Sequence, residues 1–179
     1  MNKIMIGMAL AMFAVVGCGT TPSSEADRKA QGSEVDATVT KFKDKQPAVG
    51  VYMKQSHGYA VFPTVGKAGM GIGGAFGRGQ VFVGGKMVGY SKLTSASIGF
   101  QLGGQSFSEL IFFETEAAYK RFISGEFGFD ANASAVAATA GAAAKADYKN
   151  GVAVFVMADA GLMYEASIGG QKFDFEPAN

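Results

Sequence analysis

The sequence predicts a single α+β domain, with helices at its N-terminal end, one helix in mid-chain and a glycine-rich β-sheet. Three observations support this. The chain has 179 residues, of which 48% are hydrophobic and 17% charged, values that suit one compact domain and exclude a disordered chain. Glycine occurs 26 times, and fourteen glycines fall among β-type residues between Gly58 and Gly104. Helical periodicity is confined to short segments before and after this region.

The N-terminal helices follow from capping and spacing. Ser33 is a predicted N-cap for a helix over about residues 34–45, since Val35, Val39 and Phe42 recur on one face. Pro47 opens a second short helix that ends near Ser56. In mid-chain, Thr115 caps a helix from Glu116 to Ser124 that Gly125 closes.

The remaining segments are predicted strands. Gly84-Gly85 and Gly103-Gly104 are the expected turns between them. Gly69, Gly71 and Gly73 form a row on one strand face, interpreted as a close structural contact rather than a ligand loop. Alanine propensity favours a helix over residues 131–146, although few large apolar side chains support it. The predicted strands are Tyr59–Phe62, 69–74, Gln80–Val83, Met87–Tyr90, Thr94–Leu102, Ser106–Phe113, Gly151–Met157, Leu162–Ile168 and Lys172–Phe175.

Residues 1–17 are predicted to be a bacterial lipoprotein signal peptide. Lys3 precedes an uncharged apolar run that is short for a membrane span, and Val15-Val16-Gly17-Cys18 resembles a lipobox. Cys18 is then the lipidated N-terminus of the mature chain, the alternative being a lone buried cysteine. Gly19 after the cysteine favours the outer membrane of the cell envelope. Residues 18–32 are a predicted flexible tether, and residues 33–179 the domain.

Composition argues against an enzyme and against a metal or other cofactor. The single histidine and single cysteine cannot form a standard zinc site or an internal disulfide. His57 has no G-x-S-x-G partner motif. Gly69-x-Gly71-x-x-Gly74 matches a dinucleotide fingerprint, but no helix follows and no acid lies about twenty residues on. No tryptophan is present, and an envelope location argues against a nucleic-acid partner.

Charge is unevenly distributed along the chain. From Lys45 to Ser108 there are six bases and no acid, whereas from Glu109 onward ten acids accompany five bases. Two interpretations stay open. The domain presents one basic face, or strands from the two halves pair and their charges interleave.

Four motifs occur in order along the chain: AVFP from Ala60, GKAGMGIGG from Gly66, IGFQLGGQ from Ile98 and GLMYEASIGG from Gly161. With them the sequence resembles the SYLF lipid-binding domain family, over about Ala48 to Pro177. The resemblance implies a curved, mostly antiparallel sheet and an extended Ala133–Lys145. It also implies binding of anionic phospholipid through a basic surface, and the rival from another class is a structural or protein-interaction module of the envelope. The candidate lipid-binding residues are Lys41, Lys43, Lys45, Lys54, Lys67 and Arg78.

Overall fold

The computed structural model describes residues 19–128, 134–137, 148–158, 166–167 and 170–178, with the backbone alone over 68–73, 97–105, 134–137 and 166–167. The predicted signal peptide and Cys18 lie outside this range. Three helices are present: α1 (Glu25–Lys45), α2 (Ala48–Gln55) and α3 (Glu116–Ile123). The strands are β1 (Gly58–Val83), β2 (Lys86–Phe113), β3 (Ser134–Ala137), β4 (Val152–Ala158), β5 (Ala166–Ser167) and β6 (Gln171–Pro177).

Helix α1 begins nine residues earlier than the predicted residue 34. Ser24 is its N-cap, and the Ser24 side chain accepts a hydrogen bond from the backbone N–H of Asp27. Glu25 and Asp27 place negative charge in the first turn, where the helix dipole favours it. The predicted Ser33 cap was wrong, because the Ser33 hydroxyl donates to the Lys29 carbonyl inside the helix. Residues 25–32 are therefore helix and not flexible tether.

The other two helices confirm the prediction. Pro47 is the N-cap of α2, which buries Val49 against the sheet. The Thr115 side chain accepts from the backbone N–H of Ala118 at the start of α3. Gly125 follows α3 with φ +73°, a conformation that favours glycine at a helix end.

Strands β1 and β2 form one long antiparallel hairpin where the sequence predicted several shorter strands. Its turn is Gly84-Gly85, as predicted, with φ +57° and +77°. Gly103-Gly104 is not a turn, because these residues stay in β2 and pair with Gly69 and Ala68. Pro63 does not end β1 either: the strand lies at a sheet edge, where a missing N–H is tolerated, and the pairing shifts register between Phe62 and Val65.

Strand β2 organises the rest of the sheet. Its N-terminal part pairs with β6 and its C-terminal part with β4, both antiparallel. The sheet path is β1-β2-β4-β3-β5, with β3 parallel to β4. The predicted mostly antiparallel sheet is confirmed. Residues 134–137 are extended, as the SYLF resemblance implies, and the rest of the alanine-rich segment lies outside the described residues.

The hairpin is curved strongly enough for β1 to contact itself. A Cβ built on Gly77 would lie 2.9 Å from a methyl of Val65, and one on Gly79 would collide with the Val61 carbonyl oxygen. Val61 and Gly79 are eighteen residues apart, a distance of about 60 Å along a straight strand. The curvature is therefore large, and these glycines permit the close approach of the two ends. The space around the predicted row of Gly69, Gly71 and Gly73 lies outside what the structure describes.

The sheet separates two apolar clusters. One surrounds α3, with Phe122 packed against Phe113 and Phe173. The other lies beneath α1 and α2, where Phe42 and Val49 are fully buried. Val35 and Phe42 are buried and Val39 is half-buried in this second cluster, as the helical spacing predicted. The α1 and α2 helices are thus fixed on one face of the sheet, and this arrangement positions the surfaces considered next.

Candidate lipid-binding surface

Four of the predicted lipid-binding residues lie near the C-terminal ends of the two consecutive helices α1 and α2. Lys41, Lys43 and Lys45 are exposed in the last turns of α1, and Lys54 is exposed in the last turn of α2. Lysines at a helix C-terminus are favoured by the helix dipole, so the sequence can place them there without strain. We call these four residues the lysine corner.

An exposed valine lies beside the lysine corner. Val51 is 50% exposed, and it and Phe76 are the large apolar side chains exposed in the described part of the chain. Val51 and Lys54 are three residues apart on α2, so they share its outward face. The corner carries four lysines and one acid, Asp44. Basic residues around an exposed apolar side chain are typical of a surface that contacts an anionic membrane.

Arg78 lies elsewhere, in a groove between the N-terminal half of α1 and the two ends of β1. The groove has a volume of about 700 Å³. The Arg78 guanidinium carbon is 5.7 Å from the centroid of the Phe76 ring, and Phe76 is 42% exposed. The groove is lined by Thr21, Pro22, Ser23, Asp27, Ala30, Gln31, Glu34, Pro63, Thr64, Gly66, Phe76, Gly77 and Arg78.

The structure therefore does not bring the six predicted residues onto one surface. Arg78 lies near Asp27, at the N-terminal end of α1. Hydrogen bonds from Ser24 and Ser23 hold the pKa of Asp27 below its usual value, and the positive charge of Arg78 contributes in the same direction. Because the helix axis rises about 21 Å from Asp27 to Lys41, Arg78 is far from the lysine corner. Lys67 is partly exposed on β1 next to the groove residue Gly66, but adjacent strand residues point to opposite faces.

Acidic and basic halves of the chain meet where β2 pairs with β6. Lys92 is opposite Asp174, and their side chains form a salt bridge of 2.9 Å. Tyr90 is opposite Glu176 in the same pairing. At this edge the charges interleave, which is the second of the two interpretations of the charge distribution, and Lys92 adds little to any basic face.

A buried carboxyl group is the main feature that the sequence interpretation missed. Glu109 is fully buried in the α3-side cluster, and its Oε2 accepts a hydrogen bond of 2.9 Å from Gln171 Nε2. The pKa of Glu109 is raised to about 8. Burial causes this rise, and the hydrogen bond from Gln171 opposes part of it. The signal was available: strand alternation places Glu109 on the same face as Phe107 and Ile111, both buried.

His57 is half-buried, and its ring lies 5.7 Å from that of Tyr119, so it packs at the end of α2. Within the described ranges no group of three or more metal-ligating side chains occurs. Among the helices in those ranges, none is long and apolar enough to cross a membrane.

Two comparisons with known proteins bear on identity. The chain is 26% identical over 151 residues to Beta cell expansion factor A of Aeromonas veronii. This match covers 82% of the chain and 56% of the relative, so the chain spans about half the length of that protein.

The second comparison is with a protein-family model. Residues 94–177 match the Ysc84 model, whose description is Las17-binding protein actin regulator. The matched residues include part of β2, all of α3 and the four later strands. Two of the quoted motifs, IGFQLGGQ and GLMYEASIGG, lie inside this range. Residues 94–177 of this chain are therefore similar to the Ysc84, or SYLF, family.

Proposed function

We propose that this protein is a non-catalytic lipoprotein of the bacterial envelope whose SYLF domain binds anionic phospholipid through the lysine corner. Lipidation of Cys18 and location at the outer membrane are part of the proposal and rest on the N-terminal sequence. The observation that carries the binding proposal is the half-exposed Val51 on the same short helix as the exposed Lys54, directly after the three exposed lysines that end α1. Similarity to the SYLF family supports it, because the resemblance implies lipid binding.

The magnitude of the effect is modest. Each lysine near an anionic membrane contributes about 1 kcal/mol, and Asp44 opposes one of the four. About 3 kcal/mol remains, and partial burial of Val51 adds to it. Exposed charges are screened within about 8 Å at physiological salt, so the binding is salt-sensitive. Attachment by the acyl chains then determines where the domain is, and the lysine corner determines how it faces the membrane.

Lys67 and Arg78 have a smaller place in this proposal than the sequence predicted. Arg78 lies in a groove with Asp27 and Glu34, whose carboxylates repel an anionic lipid. Lys67 is separated from the lysine corner along the hairpin. We expect single substitutions of either residue to change vesicle binding less than substitutions in the corner.

Vesicle flotation tests the proposal. Full chains carrying Cys18→Ala are mixed with phosphatidylcholine vesicles that contain either no anionic lipid or 30% phosphatidylglycerol. We expect the anionic vesicles to bind more tightly, and Lys43→Glu with Lys54→Glu to weaken that binding at least tenfold. The matched control is Lys86→Glu with Lys172→Glu, the same charge change at exposed positions on β2 and β6.

Two results would count against lipid binding by the corner. One is equal binding to both vesicles, or binding that 0.5 M salt does not change. The other is an equal loss in the corner variant and in its control. A chain that ignores both vesicles but retains one envelope protein would favour the structural or protein-interaction alternative.

A further inference from the structure

The groove between α1 and β1 collects polar atoms that have no partner. Thr21 Oγ1, Gln31 Oε1 and Arg78 Nε all line it, and all three are buried without a hydrogen bond. They are half of the six such side-chain atoms in the described residues. Gln31 is only 9% exposed. Because the large majority of buried side-chain polar atoms in native proteins are paired, this concentration points to a polar ligand.

The charges of the groove are arranged on opposite walls. Asp27 and Glu34 are seven residues apart, which places both carboxylates on the same side of α1 with Gln31 between them. Arg78 is on the β1 wall, near enough to Asp27 to lower the pKa of that carboxyl. A molecule that spans the groove therefore meets negative charge on one side and positive charge on the other.

We propose that the groove binds a phospholipid headgroup of the phosphoethanolamine class, with the phosphate at Arg78 and the primary ammonium at Asp27 and Glu34. The proposal rests on the lipid-binding function proposed above and names a headgroup for a second site. Guanidinium groups pair well with phosphate oxygens, and an ammonium group can donate to a carboxylate on the α1 wall.

Other headgroups fit the groove less well. A purely anionic headgroup would face two carboxylates and one guanidinium. A choline headgroup has no N–H to donate, and quaternary ammonium groups are recognised by aromatic faces. Phe76 is the aromatic side chain that lines the groove, and Arg78 already lies over its ring. The arrangement thus distinguishes headgroups that carry the same net charge.

Soluble headgroups test the site without a membrane. The full Cys18→Ala chain is titrated by calorimetry with glycerophosphoethanolamine, glycerophosphocholine and glycerophosphoglycerol. We expect the ethanolamine compound to bind at least tenfold more tightly than the other two. Arg78→Gln and Glu34→Gln should each remove this preference. Lys86→Gln and Asp36→Asn, the same charge changes at exposed positions outside the groove, should keep it.

Vesicles then identify the source of the headgroup and separate this proposal from the previous one. With phosphatidylglycerol held constant, replacing phosphatidylcholine by phosphatidylethanolamine should strengthen binding, and Arg78→Gln should abolish only that increment. Lys43→Glu with Lys54→Glu should abolish only the dependence on phosphatidylglycerol. Equal affinity for the three soluble compounds would overturn the site. Binding of the soluble compound without any preference among vesicles would overturn the assignment to lipid.

Discussion

Glu109 makes the stability of the folded protein depend on pH, and Glu109→Gln should remove this dependence. The Glu109 carboxyl is fully buried, and of its two oxygens only Oε2 has a hydrogen bond. Gln171 Oε1 is also buried and unpaired. A protonated Glu109 can supply a donor within this contact, and the carboxamide of a glutamine at position 109 can supply one at every pH.

The size and sign follow from the pKa of Glu109. It rises from 4.5 to about 8 on folding, with burial as the cause. Each unit is about 1.4 kcal/mol, so ionised Glu109 disfavours the folded state by about 5 kcal/mol above pH 8 and by about 3 kcal/mol at pH 7. The folded state binds the proton more tightly than the unfolded state. The stabilisation of the folded state by this proton is therefore complete below about pH 4.5 and is lost as the pH rises to about 8.

Urea unfolding at several pH values measures the effect. The free energy of unfolding of Glu109→Gln should equal that of the unsubstituted chain near pH 4.5 and exceed it by about 3 kcal/mol at pH 7. The control Glu126→Gln changes an exposed carboxylate and should stay within about 0.5 kcal/mol of the unsubstituted chain. If the difference in the free energy of unfolding between Glu109→Gln and the unsubstituted chain is constant from pH 4.5 to 9, then Glu109 does not cause the pH dependence.

Two further predictions concern the N-terminus and the glycines. Mass spectrometry of the envelope form should find Cys18 as the acylated first residue, and cleavage elsewhere or a free thiol would contradict this. Gly79→Val should lower the free energy of unfolding by about 1–3 kcal/mol, because the added side chain would collide with the backbone carbonyl of Val61. Gly50→Ala, at a helical position where an added Cβ meets nothing within 4 Å, should instead raise the free energy of unfolding by about 0.5–1 kcal/mol. Thermal unfolding measures both variants, and a change of the same sign in the two would contradict these predictions.

Local signals in the sequence predicted the local structure well. Caps and turns were found where a single residue type decides the conformation: Thr115 at α3, Pro47 at α2 and Gly84-Gly85 in the hairpin. The start of α1 was missed because Pro22, Gly32 and a polar composition suggested a tether. Ser24 and the acids after it were an equally local capping signal, and Gly32 inside the helix proved tolerable.

Pairing between distant strands could not be deduced from one sequence. Gly103-Gly104 has turn composition, but its pairing with 68–69 keeps both residues extended. The close contacts of Gly77 and Gly79 depend on the curvature of a strand whose ends meet. The same limitation affected the site, because the basic residues were grouped by their order along the chain. Folding placed Arg78 with acidic residues of α1 and left the lysine corner at the far end of that helix.

The lysine corner is proposed to face the membrane, and a fluorescent label at Val51 can detect this orientation. An environment-sensitive fluorophore is attached to Val51→Cys in a chain carrying Cys18→Ala, and to Lys86→Cys in the same background. On adding vesicles with 30% phosphatidylglycerol, we predict a blue shift of the label at position 51 that 0.5 M salt reverses, and no shift at position 86. If the label at position 51 does not shift on vesicles that demonstrably carry the protein, the lysine corner does not face the membrane.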